Sequence, residues 1–104
     1  MKLYSVSALT GGATSSVSAP ARPAPKRTVE TTFQVDLSSG TATIAVQGTL
    51  DAQATWFVIK GGMTASEAFL GALADEYRVV VTSATDADID VSVDLPDVST
   101  RVDS

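Results

Sequence analysis

The stretch TVETTFQVDLSSGTATIAVQGTL, residues 28–50, alternates with a period of two on both sides of its centre. Val29, Phe33, Val35 and Leu37 share one parity, with Glu30, Thr32, Gln34 and Asp36 between them. Beyond the centre, Ala42, Ile44, Val46 and Leu50 share the other parity against Thr41, Thr43 and Gln47. Successive side chains of a strand point to opposite faces, so this pattern marks half-buried β-structure. Ser38-Ser39-Gly40 has the composition of a turn and predicts a hairpin joining two strands, while Gly48 stands where a strand bends or bulges.

The same reading extends outward. In DADIDVSVDLP, residues 86–96, Ile89, Val91, Val93 and Leu95 face one way and Asp88, Asp90, Ser92 and Asp94 the other, until Pro96 ends the strand. YRVVVTSAT, residues 77–85, is rich in β-branched residues and predicts another strand. WFVIK, residues 56–60, is continuously apolar, as a central strand buried on both faces would be, and Gly61-Gly62 is expected to end it. LYSVSAL, residues 3–9, reads as a short edge strand or as part of a leader. Only MTASEAFLGALADEY, residues 63–77, resists: Thr64 and Glu67 form a capping-box pair, and Phe69, Ala72, Leu73 and Glu76 step at helical spacing. These predict a short helix over 65–76, against which Gly71 counts about 1 kcal/mol and leaves a strand with a long loop as the competitor.

Together these elements predict an all-β antiparallel sandwich, immunoglobulin-like or jelly-roll-like, over residues 29–96. An extended arm, 1–28, precedes it and a polar tail, 97–104, follows. The expected core is Phe33, Val35, Ile44, Val46, Trp56, Val58, Val79, Val81, Ile89, Val91 and Val93.

Charge divides the chain sharply. Residues 1–28 carry Lys2, Arg22, Lys26 and Arg27 and no acid, +4, whereas the remainder sets Lys60, Arg78 and Arg101 against all twelve acids, −9. An acidic body is repelled by phosphate backbones, which argues against nucleic-acid binding through it. No window approaches a membrane span, and the apolar runs near the N-terminus are too short for a secretory leader. With neither Cys nor His, the chain lacks disulfides, thiolate ligands, thiol nucleophiles and the usual general base. No cofactor, metal or catalytic activity is expected.

Asp86, Asp88 and Asp90 open like a calcium loop, but Val91 stands where such a loop needs glycine, and carboxylates alternating along a strand lie about 6.5–7 Å apart. The expectation is an acidic face of Asp88, Asp90 and Asp94, open to solvent or a partner. The segment GGATSSVSAPARPAPKR, residues 11–27, cannot build a core. Ordering its 17 residues costs on the order of 15–30 kcal/mol of backbone entropy, which requires roughly 600–1,200 Å² of apolar burial to offset. Neighbouring chains offer that area more readily than a small body does. Arg22, Lys26 and Arg27 are therefore the expected docking residues of the arm.

TATIAVQGTLDAQATW, residues 41–56, and EYRVVVTSATDADIDVSVDL, residues 76–95, resemble the small β-sandwich virion proteins of tailed bacteriophages, most of all head decoration (cement) proteins. The likeness covers about half the chain. Many such sequences carry Asp-Gly in the turn before the tryptophan, where this one has Asp51-Ala52. The resemblance implies a non-enzymatic subunit on the capsid surface of a virion, made in the host cytoplasm. Its partners would be the major capsid protein and copies of itself, often as trimers, with arms crossing onto neighbours. A neck, tail or fibre-base component is the near alternative, and a carbohydrate- or ligand-binding sandwich using Trp56 the alternative of another class.

Overall fold

The computed structural model describes residues 1–20, 30–50 and 54–95. All of its regular structure is strand: β1 (Lys2–Leu9), β2 (Ala13–Thr14), β3 (Glu30–Thr49), β4 (Phe57–Met63), β5 (Glu67–Ala72) and β6 (Glu76–Val93). Every pairing is antiparallel, and the six strands make one open sheet ordered β1-β6-β3-β4, with β2 on β6 and β5 on β3. The all-β antiparallel class read from the alternation therefore holds.

The central ribbon is β3 paired with β6 from Phe33↔Val93 to Thr49↔Glu76. Twenty residues at about 3.3 Å each would run some 66 Å if straight, yet the longest dimension of the molecule is 39 Å. The ribbon is bent, and connectivity shows how far. Ala72 pairs with Glu30 at one end of β3 while Glu76 pairs with Thr49 at the other. Four residues of chain reach at most about 14 Å, so the two ends of β3 come within roughly 25 Å of each other. One half of the folded sheet contains β1, residues 87–93 of β6, residues 30–37 of β3, and β5. The other contains β2, residues 76–81 of β6, residues 44–49 of β3, and β4.

The corner lies at Ser38-Ser39-Gly40, which is a bulge inside one strand and not the turn of a hairpin. Gly40 takes φ 77°, and a Cβ there would collide with the backbone carbonyl of Asp86 on the facing strand. Asp86 itself has φ 49°. Register slips on both sides of Gly40, so the buried parity of β3 changes from Phe33 and Val35 to Ala42, Ile44 and Val46. β6 changes step in the same place, from Tyr77, Val79 and Val81 through Ala84 to Ala87, Ile89, Val91 and Val93. The irregularity in β3 bends the ribbon and moves its apolar set to the other parity, whereas β6 breaks step on both sides of Ala84 and returns to odd positions, so that one core stays inside the fold.

Phe33 stacks on Phe69 of its own half at 5.2 Å and meets the Tyr77 ring of the facing half edge-on at 5.7 Å. The Tyr77 hydroxyl accepts the Ala74 N–H, and burial pushes its pKa above the ordinary value. The helix expected over 65–76 is absent: β5 occupies Glu67–Ala72, and its alternation places Phe69 and Gly71 inward. A Cβ on Gly71 would lie 2.5 Å from Ile59 and 2.8 Å from the Phe33 ring, so glycine is a packing requirement there and not a flaw in a helix. Gly61-Gly62 do not end β4 either, which runs on to the buried Met63.

Much of the expected arm belongs to this sheet. β1 runs antiparallel to β6 from Lys2↔Ser92 to Leu9↔Ala87. The Gly11 N–H then donates to Ala84, β2 pairs with Val80 and Val81, Ser15 clasps Val79, and Ser18 bridges Tyr77. Residues 2–18 thus follow β6 along its length and round the corner. Backbone pairing does not require bulky side chains, so a Gly/Ser/Ala segment poor in core-formers still serves as an edge.

Candidate interaction surfaces

Because each strand alternates, the folded sheet turns two outer faces to solvent. On the half with β1 and β5, the outward side chains of β6 are Asp88, Asp90 and Ser92, with Asp94 just past its end, and Asp36 of β3 stands directly opposite Asp90. Like charges opposed across an antiparallel pair repel, and the neighbouring groups answer this unequally. Lys2 Nζ lies 3.0 Å from Asp90 Oδ1. The Ser5 hydroxyl above all, and then Lys2, hold the Asp90 carboxyl below the ordinary carboxylate range. Asp36 accepts a hydrogen bond from the Ser66 hydroxyl at 3.2 Å and meets no cation among the described residues. Asp88 Oδ1 accepts the Ala8 N–H at 2.8 Å, at a residue with φ 52°.

The acidic stripe is therefore not simply a solvated face, since Asp88 and Asp90 fasten the protein's own N-terminal strand. Asp94 is exposed. At the corner, the Asp86 N–H donates to the Thr10 hydroxyl oxygen, and among the described residues no three His, Asp or Glu side chains gather as a metal would need.

On the other half the outward residues are Ala45 and Gln47 of β3, Glu76, Arg78 and Val80 of β6, and Val58 of β4. Trp56 and Val58, expected in the core, lie outside it: Trp56 is half-buried and Val58 is 59% exposed. WFVIK lies at an edge, not at the centre, so alternation decides its burial and alternate residues look outward. The Arg78 guanidinium lies over the Trp56 ring at 4.2 Å, and its Nε donates to Gln47 Oε1 at 2.7 Å. Both contacts hold it on this face, a cation–π arrangement that fixes a long side chain in advance. Lys60, at the edge, reaches Glu67 Oε2 at 3.4 Å across the gap between β4 and β5.

The arrangement of Trp56, Gln47 and Arg78 did not emerge from the sequence reading. Its signal was parity, because Arg78 falls between the inward Tyr77 and Val79 and must point out. Leu70, 65% exposed on β5, was hidden by the helical reading. Of the other expected core residues, Phe33, Val35, Ile44, Val46, Val79, Val81, Ile89, Val91 and Val93 are all buried. Arg22, Lys26 and Arg27 lie outside the described residues. No protein-family model, curated protein or solved structure matches the chain.

Proposed function

We propose that the protein is a non-enzymatic structural subunit of a virion, a decoration or cement protein that stabilises a tailed-phage head. Its partners on this reading are the major capsid protein and further copies of itself. The folded sheet then acts as a two-layer sandwich of the immunoglobulin-like or jelly-roll-like kind, carried on the capsid surface. The observation that supports the reading is the distribution of cations. Of the four in residues 1–28, Lys2 is engaged by Asp90 of its own sheet, while Arg22, Lys26 and Arg27 follow in the proline-rich stretch beyond Ser18, which bridges to β6. A basic cluster on an otherwise acidic protein is suited to an acidic partner surface.

Because residues 2–18 form part of the sheet, deleting the whole leader would damage the body, and charge reversal is the cleaner test. Arg22→Glu, Lys26→Glu and Arg27→Glu together should lower occupancy on capsids at least about tenfold, as loss of several interfacial cations does. Undiminished occupancy of a folded triple variant would remove the basic cluster from the mechanism. Copy number per particle separates a decoration protein from a neck, tail or fibre-base component.

Trp56 favours a second reading. It is half-buried beside the exposed Val58, and an indole is a ring of the kind on which a sugar or other flat ligand stacks, here with Arg78 lying over one face. A ligand-binding module predicts that glycans shift or quench Trp56 fluorescence, and a flat titration across a glycan panel removes it.

A further inference from the structure

We infer that the protein associates with itself head to tail, the Arg78 face of one copy docking on the Asp94 face of the next. The inference does not depend on the capsid reading, because it concerns the chain alone. Its basis is a correspondence between the two outer faces. On one, Leu70 of β5 pairs with Thr32 of β3, whose carbonyl accepts the Asp94 N–H at the end of β6. On the other, Val58 of β4 pairs with Gln47 of β3, which pairs with Arg78 of β6. Each row sets an exposed aliphatic on the edge strand, a neutral polar side chain on β3 and a charged one following or within β6. The charges are opposite, and the aliphatics, Leu70 at 65% and Val58 at 59%, are two of the most exposed large apolar residues described.

The groups on each face have unused capacity that the other face can meet. Among the described residues, Arg78 makes its hydrogen bond through Nε alone, leaving the outer edge of a rigid fork suited to a carboxylate. Asp36, Asp90 and Asp94 outnumber Lys2 on the acidic face. Docking two acidic faces would repel, and docking two Arg78 faces would leave both acidic faces without cations, so opposite faces make the favoured pair. Such a contact is heterologous: a docked pair keeps one free face of each kind, so the assembly grows as a row or closes into a ring.

Each face is about four strands wide, roughly 19 Å at a strand spacing near 4.8 Å. That area places the contact among small, weak interfaces, with a dissociation constant between about 10 μM and 1 mM.

Sedimentation velocity on the full chain at low salt, from about 10 μM to about 2 mM, tests this, since screening weakens exposed charge pairs. The wild-type sedimentation coefficient should rise with concentration. Arg78→Glu alone and Asp94→Lys alone should each weaken association about tenfold or more, while an equimolar mixture of the two should associate again, because each supplies the face the other has lost. Leu70→Ser, which alters no charge, should weaken association as well and serves if either charge variant fails to fold. A wild-type protein monomeric throughout, variants that associate like wild type, or a mixture of folded variants showing no recovery would each overturn the inference.

Discussion

The two edges of the folded sheet do the same geometric job by different chemistry. Both run along the bent β3–β6 ribbon and both must turn its corner. The β4–β5 edge is held by apolar contact: Phe69 stacks on Phe33, and Ile59 closes over Gly71 where even a methyl group has no room. The β1–β2 edge buries only one large side chain, Leu3, and rests Met1, Tyr4, Val6 and Leu9 part-buried against the core, and it adds polar fastenings: Asp88 on the Ala8 N–H, Asp90 on Lys2 and Ser5, Thr10 on Asp86, and Ser15 on Val79. An edge made of aromatic residues is coupled to the core and fails with it. An edge with one buried large side chain leans more on its hydrogen bonds, each worth about 1 kcal/mol net, and can open before the core does.

The largest effect should come from Phe33→Ala. Phe33 is fully buried, stacks on Phe69 and meets Tyr77 edge-on, so it joins β5 to the facing half. Truncating a buried Phe costs about 3–5 kcal/mol, a large share of what a domain of this size has in reserve. Chemical denaturation should show the whole protein destabilised in one transition. A loss below about 1 kcal/mol would mean that the β4–β5 edge is not held by burial.

Asp88→Ala should act differently. It leaves the Ala8 N–H without its acceptor at a residue already in the left-handed region, at roughly 1 kcal/mol. Amide exchange in β1 should quicken about fivefold while β5 amides keep their protection. Equal acceleration in both edges would erase the distinction between them.

How much of this could be read from residues alone differs by element. Alternation is local, so the strands of 30–37 and 42–49 were legible, together with the parity of Phe33, Val35, Ile44 and Val46, while the segments 77–85 and 86–96 read as two strands where β6 is one. The corner was not, because Ser-Ser-Gly supplies the same positive φ to a bulge as to a turn. Its distinguishing mark is non-local: β6 breaks step at Ala84, opposite Ala42, and only pairing reveals that the two irregularities face each other.

Helical spacing in 65–76 was real as a pattern, and it lost to the requirement for a side-chain-free residue against Ile59 and Phe33. WFVIK was too short for periodicity to separate a central strand from an edge. The leader misled for a thermodynamic reason. The entropy of ordering it was weighed against apolar burial, whereas from Gly11 to Ser18 it is met largely by backbone hydrogen bonds to β6, which residue composition does not display. For the candidate surfaces, the acidic stripe was visible as a pattern but its use in fastening β1 was not, since the contact between Lys2 and Asp90 spans 88 residues of chain.

The smallest effect sharpens the comparison by pH. The folded Asp90 carboxyl lies below its ordinary pKa of 3.8, chiefly through Ser5 and then Lys2. A depressed folded value means that the ionised group contributes stability present above the ordinary pKa and lost as pH falls through the folded one. The Asp90 side chain is open to solvent, so the contribution is modest and should register at β1 and not globally. Asp36 opposite it and Asp88 two residues along are carboxylates of the same face. For that reason the informative quantity is the ratio of β1 to β5 amide protection, corrected for intrinsic exchange, in wild type and in Asp90→Asn. In wild type the ratio should fall as pH drops from about 4 to about 2, where carboxylates take up protons. The substituted asparagine carries no charge to lose, so the variant's fall should be smaller. An equal fall in both proteins would mean that Asp90 does not carry the acid sensitivity of β1, and the Lys2–Asp90 pair would then be a contact without consequence for the edge.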